Sequence, residues 1–288
     1  MECLKQCEAM IAKGSLTFYS AFRSLPSPRR QAVYVIYAFC RMIDDAVDEP
    51  EQSPYTLGEL KEQFDRYEQA GGHFIWPALR WLFQTFPALG KEPFYRQMEG
   101  QQTDLDVVQY ETMEQLDRYC YLVAGTVGEM LLPVLHDNPD EKVTEAGIML
   151  GKAMQIVNIV RDVGEDRRRG RRYIPKEWMD RAGYCEGRLD SGIIDESFVR
   201  LIGAFDRLAR DWFARGLNGL ETYPRESACC IEIAARYYEA ILDEVKENGY
   251  DVFTKRAVVG GARKLTLASA IRVKYTGLAP APEETAVS

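Results

Sequence analysis

The spacing of its apolar residues limits the fold of this chain more than any other feature. Long segments, nearly free of proline, carry apolar side chains at intervals of three and four. That is the period of helices with a buried face, not the alternation of strands. It predicts helices over Arg29–Val47, Glu114–Leu135, Thr144–Arg168, Phe198–Leu217 and Glu226–Lys246. Breaks are expected where Gly, Pro, Asn and Asp cluster: Glu49–Tyr55, Ala70–His73, Asp137–Asp140 and Gly183–Gly192. No break is long enough for an interdomain linker, and no period of 20–50 residues repeats, which sets a solenoid aside. Strands are at most minor. The expected fold class is all-α, one domain over residues 1–276, with a frayed tail over 277–288.

Composition removes several function classes. At 46% apolar, the chain can build a large core, so global disorder is excluded. A net charge of −8 argues against a nucleic-acid binder, which carries a basic face. Apolar runs such as Met130–Leu135 fall far short of the ~20 residues that span a bilayer, so no transmembrane segment is expected. The start, Met-Glu-Cys-Leu-Lys-Gln-Cys, lacks the pattern of a signal peptide. Seven cysteines, an odd number without Cys-x-x-Cys, suit reduced thiols and a cytoplasmic location. His73 and His136 are the only histidines and form no local zinc motif. Metal chemistry would therefore run on carboxylates.

Two carboxylate clusters stand out. Asp44 and Asp48 lie four apart at the end of a helical segment, with Tyr37 and Arg41 on the same stripe. Like charges at that spacing, near a helix C-terminus, destabilise the helix. Taken alone, the pair reads as a solvated acidic helix end. Asp162 and Asp166 repeat the spacing, and Gln155, Asn158 and Asp162 draw a polar line along an otherwise apolar helix. Such a line is either buried with partners or faces a cavity. Across a bundle the two clusters would gather about four negative charges, which divalent cations make tolerable; oxygen ligands favour magnesium over zinc. Magnesium with few protein ligands completes its shell with water and phosphate oxygens. The residues thus point to a Mg²⁺-dependent diphosphate site inside a helical bundle.

Three stretches carry a family resemblance. They are Tyr37 to Asp48 (Tyr-Ala-Phe-Cys-Arg-Met-Ile-Asp-Asp-Ala-Val-Asp), Tyr119 to Gly128 (Tyr-Cys-Tyr-Leu-Val-Ala-Gly-Thr-Val-Gly), and Gln155 to Asp166 followed by Gly170 to Pro175. In order and separation the chain resembles the squalene/phytoene synthase family of head-to-head prenyl transferases from about Ser15 to Lys264. It looks most like the bacterial enzymes that make dehydrosqualene, although phytoene synthases share most of the same text.

The resemblance implies an isoprenoid-synthase bundle with a central cavity. Two prenyl diphosphates couple there through a cyclopropyl diphosphate to a thirty-carbon hydrocarbon. It implies Asp44, Asp48, Asp162 and Asp166 as Mg²⁺ ligands and Arg41 as a phosphate contact. Tyr37, Tyr119 and Tyr238 match tyrosines near the reacting carbons or the leaving group, and Asp104 matches an acidic helix position. Asn158 and Gln155 match the polar line, and Ser15, Phe18 and Phe22 match positions lining the substrate cavity. Lys255 or Arg256 matches a late basic residue that meets diphosphate, with the register open by one. Whether NADPH is used stays undecided. An apolar product leaves room for peripheral membrane contact.

This chain also departs from the family text. Gly14 and Leu16 stand where relatives often carry a histidine and a cation, with Lys13 nearby. One diphosphate is therefore expected to be held more weakly. That keeps two alternatives beside coupling of farnesyl diphosphate: its hydrolysis to farnesol, and phytoene synthesis from geranylgeranyl diphosphate. A non-enzymatic binding module is disfavoured by the intact carboxylates. Gly125 and Gly128 each cost a helix about 1 kcal/mol relative to Ala and mark either substrate approach or tight packing. The run Arg167, Arg168, Arg169, Arg171 and Arg172 reads as a solvated helix end, or as attraction for diphosphates or anionic lipid. Gly147-x-x-x-Gly151-Lys152 is one residue short of a phosphate-binding loop and lies in a helical segment, so it is rejected.

Overall fold

The computed structural model describes residues 2–276; the tail expected to fray, 277–288, lies outside the described residues. The first third holds α1 (Glu2–Gly14), α2 (Leu16–Phe22), α3 (Arg29–Asp48), α4 (Leu57–Asp65), α5 (Ile75–Thr85) and α6 (Glu92–Asp106). The middle holds α7 (Met113–Cys120), α8 (Thr126–Leu135), α9 (Glu141–Arg168), α10 (Lys176–Ala182) and α11 (Glu186–Ser191). Then come α12 (Glu196–Gly216), α13 (Arg225–Glu247) and α14 (Gly261–Thr276). The fold is all-α; among the described residues the only β pairing is an isolated bridge from Gln109 to Arg172.

Local chemistry sets the boundaries. Thr56 with Glu59, and Thr112 with Gln115, form capping boxes at α4 and α7. Asp140 and Asp195 accept from the first free backbone N–H groups of α9 and α12. Two expectations differ from what is found. The helix predicted over Glu114–Leu135 is α7 and α8 joined by a π-helical turn, Tyr121–Gly125. Inside it Gly125 has room for little else, since an added Cβ would lie 2.9 Å from Tyr121 and 3.1 Å from Ile148. The break predicted over Gly183–Gly192 contains α11, because both glycines take left-handed conformations that end helices rather than open a loop.

Helix α9 is the centre of the bundle, packed by α8, α12 and α13. Its buried residues, among them Val143, Ala153, Ile156, Val160 and Val163, fall on more than one face, as befits a helix with neighbours all round. Backbone contact settles the role of Gly128: an added Cβ would come 2.3 Å from the Gly147 carbonyl oxygen on α9. One turn on, the same atom on Gly151 would meet the Ala124 oxygen at 2.1 Å. Tight packing, not substrate approach alone, requires these glycines. Gly164 does the same for a loop: its N–H donates to the Val252 carbonyl at 3.1 Å, and a Cβ would strike Phe253 backbone at 2.6 Å. Most aromatic residues are plain core, such as the cluster of Phe39, Phe64, Trp76 and Phe94.

Gly128→Ala and Gly164→Ala are each expected to lower stability by about 2 kcal/mol or more, through overpacking against backbone that cannot yield. Gly58→Ala, whose methyl would meet open space, is expected to be neutral or stabilising by up to about 1 kcal/mol. Urea midpoints check this; equal midpoints for all three would mean the helix contacts are not as close as described.

Candidate active site

Helices α3, α6, α8, α9 and α13, with the start of α2 and the segment 256–259, enclose a cavity of about 860 Å³. Its walls are apolar at one end, with Val33, Leu131, Leu135 and Ile231, and charged at the other. Asp44, Asp48, Asp162 and Asp166 all line the charged end, although the two pairs are more than a hundred residues apart in sequence. Spacing of four puts each pair on one helix face, and the packing turns both faces inward.

The carboxylates are not left bare. Arg41 reaches Asp44 at 3.3 Å and Asp45 at 2.5 Å. Asp48 accepts from Arg169 at 2.5 Å and Arg171 at 2.6 Å. Asp162 accepts from Arg161 Nε at 2.8 Å and from Arg256 at 3.2 Å, and Arg256 also meets Glu165 at 2.7 Å. Asp166 alone of the four has no ion pair among the described residues. Burial, then Asp162 and Glu165, push its carboxyl up to about 8; burial, then Asp48, push Asp44 up to about 6. These are carboxylates short of positive charge, and a divalent cation fits that deficit. No three acidic, cysteine or histidine side chains among the described residues converge closely enough to hold an ion alone. Any ion here would take few protein ligands and further oxygens from a bound anion, which is how magnesium behaves.

The basic run therefore differs from its expected role. Arg169 and Arg171 neutralise Asp48, Arg167 donates to the Leu189 and Asp190 carbonyls, Arg168 to the Phe253 carbonyl, and Arg172 pairs with Asp190. The sharp turn after α9 brings two of the five, Arg169 and Arg171, back onto Asp48, while Arg168 and Arg169 stay exposed. Of the late basic pair, both exposed, Arg256 lines the cavity and Lys255 lies outside the lining.

The remaining predicted residues gather at the same cavity. Asn158 donates to Gln155 Oε1 at 3.2 Å, leaving its own Oδ1 buried and unpartnered among the described residues. Tyr119 donates to Asp104 at 3.0 Å. Tyr173, which sequence reasoning did not single out, donates to the other Asp104 oxygen at 2.8 Å and stacks on Tyr119 at 5.1 Å. Phe18 packs on Phe22 at 5.2 Å and presents an edge contact with Tyr238 at 6.3 Å. Ser15 lines the cavity, but its Oγ caps α2 by accepting from Phe18 N–H. Burial holds the Tyr37 hydroxyl up near pKa about 12 and raises Tyr119 and Tyr238, so all three stay neutral phenols.

The departures at Gly14 and Leu16 have physical counterparts. An added Cβ at Gly14 would sit 2.5 Å from the Tyr37 hydroxyl oxygen, so no larger side chain fits while Tyr37 occupies that place. Leu16 points to solvent, and the cation near it comes from the far end of the chain: Lys264 lines the cavity and donates to Thr17 Oγ1 at 2.8 Å. Burial lowers its pKa, as expected for an ammonium without a carboxylate partner. Nothing in the local sequence pairs Lys264 with Leu16; the docking of α14 on α13, through Lys274 and Tyr275 on buried Glu232, brings it there.

Comparison with known proteins agrees with this geometry. The sequence profile of one family, squalene/phytoene synthase, matches residues 11–263. A 15-cis-phytoene synthase of Synechococcus elongatus is 35% identical, over 92% of this chain and 90% of its own. A chloroplastic phytoene synthase of Daucus carota is also 35% identical, over 92% of this chain and 68% of its own. The crystal structure of a dehydrosqualene synthase with ligand superposes with a TM-score of 0.89 at 33% identity, covering 96% of this chain and 97% of that one.

Mg²⁺ is expected to tighten the binding of inorganic diphosphate roughly tenfold or more in calorimetric titration. Asp48→Asn and Asp162→Asn should each remove most of that gain. Diphosphate bound equally well with metal and with chelator would show that these carboxylates hold none.

Proposed function

The chain belongs to the squalene/phytoene synthase family of head-to-head prenyl transferases, and on that premise we propose that it joins two farnesyl diphosphates into a thirty-carbon hydrocarbon. The observation that carries this reading is one cavity with two aspartate pairs at its polar end and a long apolar remainder. A charged head and a hydrocarbon tail are what such a cavity accommodates. We take residues 2–276 as one domain, with substrate recognised as a prenyl diphosphate. No helix among the described residues is long and apolar enough to cross a membrane.

Members of the family use a divalent metal to bind diphosphate, and Mg²⁺ is the ion proposed for Asp44, Asp48, Asp162 and Asp166. When bound, it would act as a Lewis acid that neutralises the charge developing on the leaving diphosphate. The protein's own groups supply the rest. Arg41, Arg161 and Arg256 sit among the aspartates and would move from carboxylate to phosphate oxygens, a charge-assisted exchange. Asn158 Oδ1 and Gln155 offer polar atoms beside them. Neutral Tyr37, Tyr119 and Tyr238, with Phe18, would line the allylic cation with aromatic faces and un-ionised oxygens, which stabilise it without capturing it. The cation would alkylate the second chain's double bond, and loss of one proton, to the diphosphate already released, would close the ring to the cyclopropyl diphosphate; departure of the second diphosphate would then open that ring. Asp104, gripped by Tyr119 and Tyr173, would fix the position of Tyr119.

The Phe18–Phe22 ring pair in the wall supports fifteen carbons rather than twenty. A second reading, phytoene synthesis from geranylgeranyl diphosphate, is favoured by relatives named phytoene synthase. Incubation with each diphosphate and Mg²⁺, followed by product analysis, decides between them. A thirty-carbon hydrocarbon from farnesyl diphosphate is expected, and Phe22→Ala should accept the longer substrate better than wild type. Wild-type preference for geranylgeranyl diphosphate would transfer the assignment to phytoene synthase. NADPH in the assay separates squalene from dehydrosqualene.

Lys264 bears on the hydrolytic alternative, because it supplies a cation where Leu16 does not. Lys264→Met is expected to raise the farnesol fraction at low substrate, with a loss of second-substrate affinity of about 1–3 kcal/mol. A farnesol fraction near unity from the wild type at saturating substrate would make hydrolysis the activity instead.

A further inference from the structure

Helix α6 carries two buried amides on one stripe. Gln97 and Gln101 are four apart, 3% and 7% exposed, and both border the cavity. Cys40 and Asp44 on α3 are four apart as well, so the two helices meet in register, Gln97 beside the Cys40 thiol and Gln101 at Asp44. A glutamine buried in a wall shared with Ile36, Val123 and Leu131 is costly unless its polar atoms find partners. Gln97 is poorly served, since its Oε1 is buried with no partner among the described residues. Gln101 is served by a charge: its Nε2 donates to Asp44 Oδ1 at 3.4 Å.

That bond matters because of what else holds Asp44. Its ion pair is with Arg41, at 3.3 Å on the other oxygen, Oδ2. Arg41 is shared, reaching Asp45 at 2.5 Å and Glu49 at 3.8 Å. The proposed reaction sends this guanidinium to a phosphate. Once it has moved, Gln101 is the hydrogen-bond partner that the Asp44 carboxylate keeps among the described residues. The other aspartates are held differently. Asp48 and Asp162 each meet two arginines, and Asp166 has no ion pair among the described residues.

An amide suits this place for a physical reason. Asp48, Asp45 and Asp104 all oppose a charge on Asp44, so a carboxylate at position 101 would add to the repulsion. A lysine or arginine would satisfy Asp44 but would compete with a metal ion for its charge. A neutral donor fixes one carboxylate oxygen and leaves the negative charge to the cation.

We propose that Gln101 is a positioning residue for the metal: its amide keeps the Asp44 carboxylate oriented toward a divalent cation after Arg41 has moved to diphosphate. The inference rests on the Mg²⁺ site proposed for the aspartates and adds to it a residue that is not itself a ligand.

The test is calorimetric titration of the full chain with inorganic diphosphate over a series of Mg²⁺ concentrations. Gln101→Met and Gln101→Leu remove the donor and keep the wall apolar. Each is expected to raise the Mg²⁺ concentration needed for half-maximal diphosphate binding about tenfold, the scale for losing a partner of a metal ligand. Excess Mg²⁺ should restore the binding, and both variants should melt as wild type does in the absence of metal. Gln97→Met, the same change one turn away, should leave the Mg²⁺ dependence as in wild type, because Gln97 touches no aspartate. An unchanged Mg²⁺ dependence in both Gln101 variants, an equal shift in Gln97→Met, or a loss that excess Mg²⁺ does not restore would overturn the proposal. The two readings fail separately. A wild type whose diphosphate binding ignores Mg²⁺ would reject the metal site and this role together; a wild type that responds to Mg²⁺ no more steeply than the Gln101 variants would reject the role alone.

Discussion

Four aspartates line one half-buried cavity, and their mutual repulsion is the constraint to which the surrounding structure answers. Burial penalises each ionised carboxyl, and each pair adds to the cost of its neighbour. The chain offsets this with arginines drawn from four places: Arg41 one turn before the first pair, Arg161 beside the second, Arg169 and Arg171 from the turn after α9, and Arg256 from the segment before α14. The compensation is incomplete at Asp166, which has no ion pair among the described residues, and at Asp44, whose carboxyl is raised to about 6. That residual deficit gives the polar end of the cavity an appetite for cations and, through them, for anionic ligands. Pairing also changes what neutralising an aspartate means. Asp48→Asn relieves repulsion but leaves Arg171 without an ion pair among the described residues and Arg169 with Glu165 alone.

Holding like charges together requires a rigid frame, and the frame is backbone contact. Gly128 against Gly147, and Gly151 against Ala124, let α8 approach α9 without side chains between them. Gly164, inside the second aspartate motif, admits the backbone of Val252 and Phe253, and that crossing sets the path of the chain toward Arg256. A glycine between metal-site candidates thus has a packing reason. Overpacking at such a point would move a cation as well as cost stability.

Away from the charges, the walls are chosen for what they do not do. The tyrosines at the cavity are raised by burial and stay un-ionised. Asp104 accepts from both Tyr119 and Tyr173, so its two oxygens are occupied. Leu131, Leu135 and Ile231 offer no nucleophile. Walls of apolar side chains, neutral oxygens and aromatic faces suit reactive cations.

Local order determined what was legible in the sequence. Apolar periodicity marked α3, α9, α12 and α13 to within a few residues, because a buried helical face must recur every three to four positions. Spacing of four put each aspartate pair on one face for the same reason. The π turn at Tyr121–Gly125 and the short α11 escaped, since both depend on how neighbours crowd a few backbone groups. Tertiary structure alone decided that Arg169 and Arg171 turn back onto Asp48, that Arg256 and not Lys255 borders the cavity, that Tyr37 fills the place beside Gly14, and that Lys264 stands in near Leu16. Each of those is a contact between residues distant in the chain. Periodicity is a property of one helix, whereas which charge finds which partner is set by the packing of several.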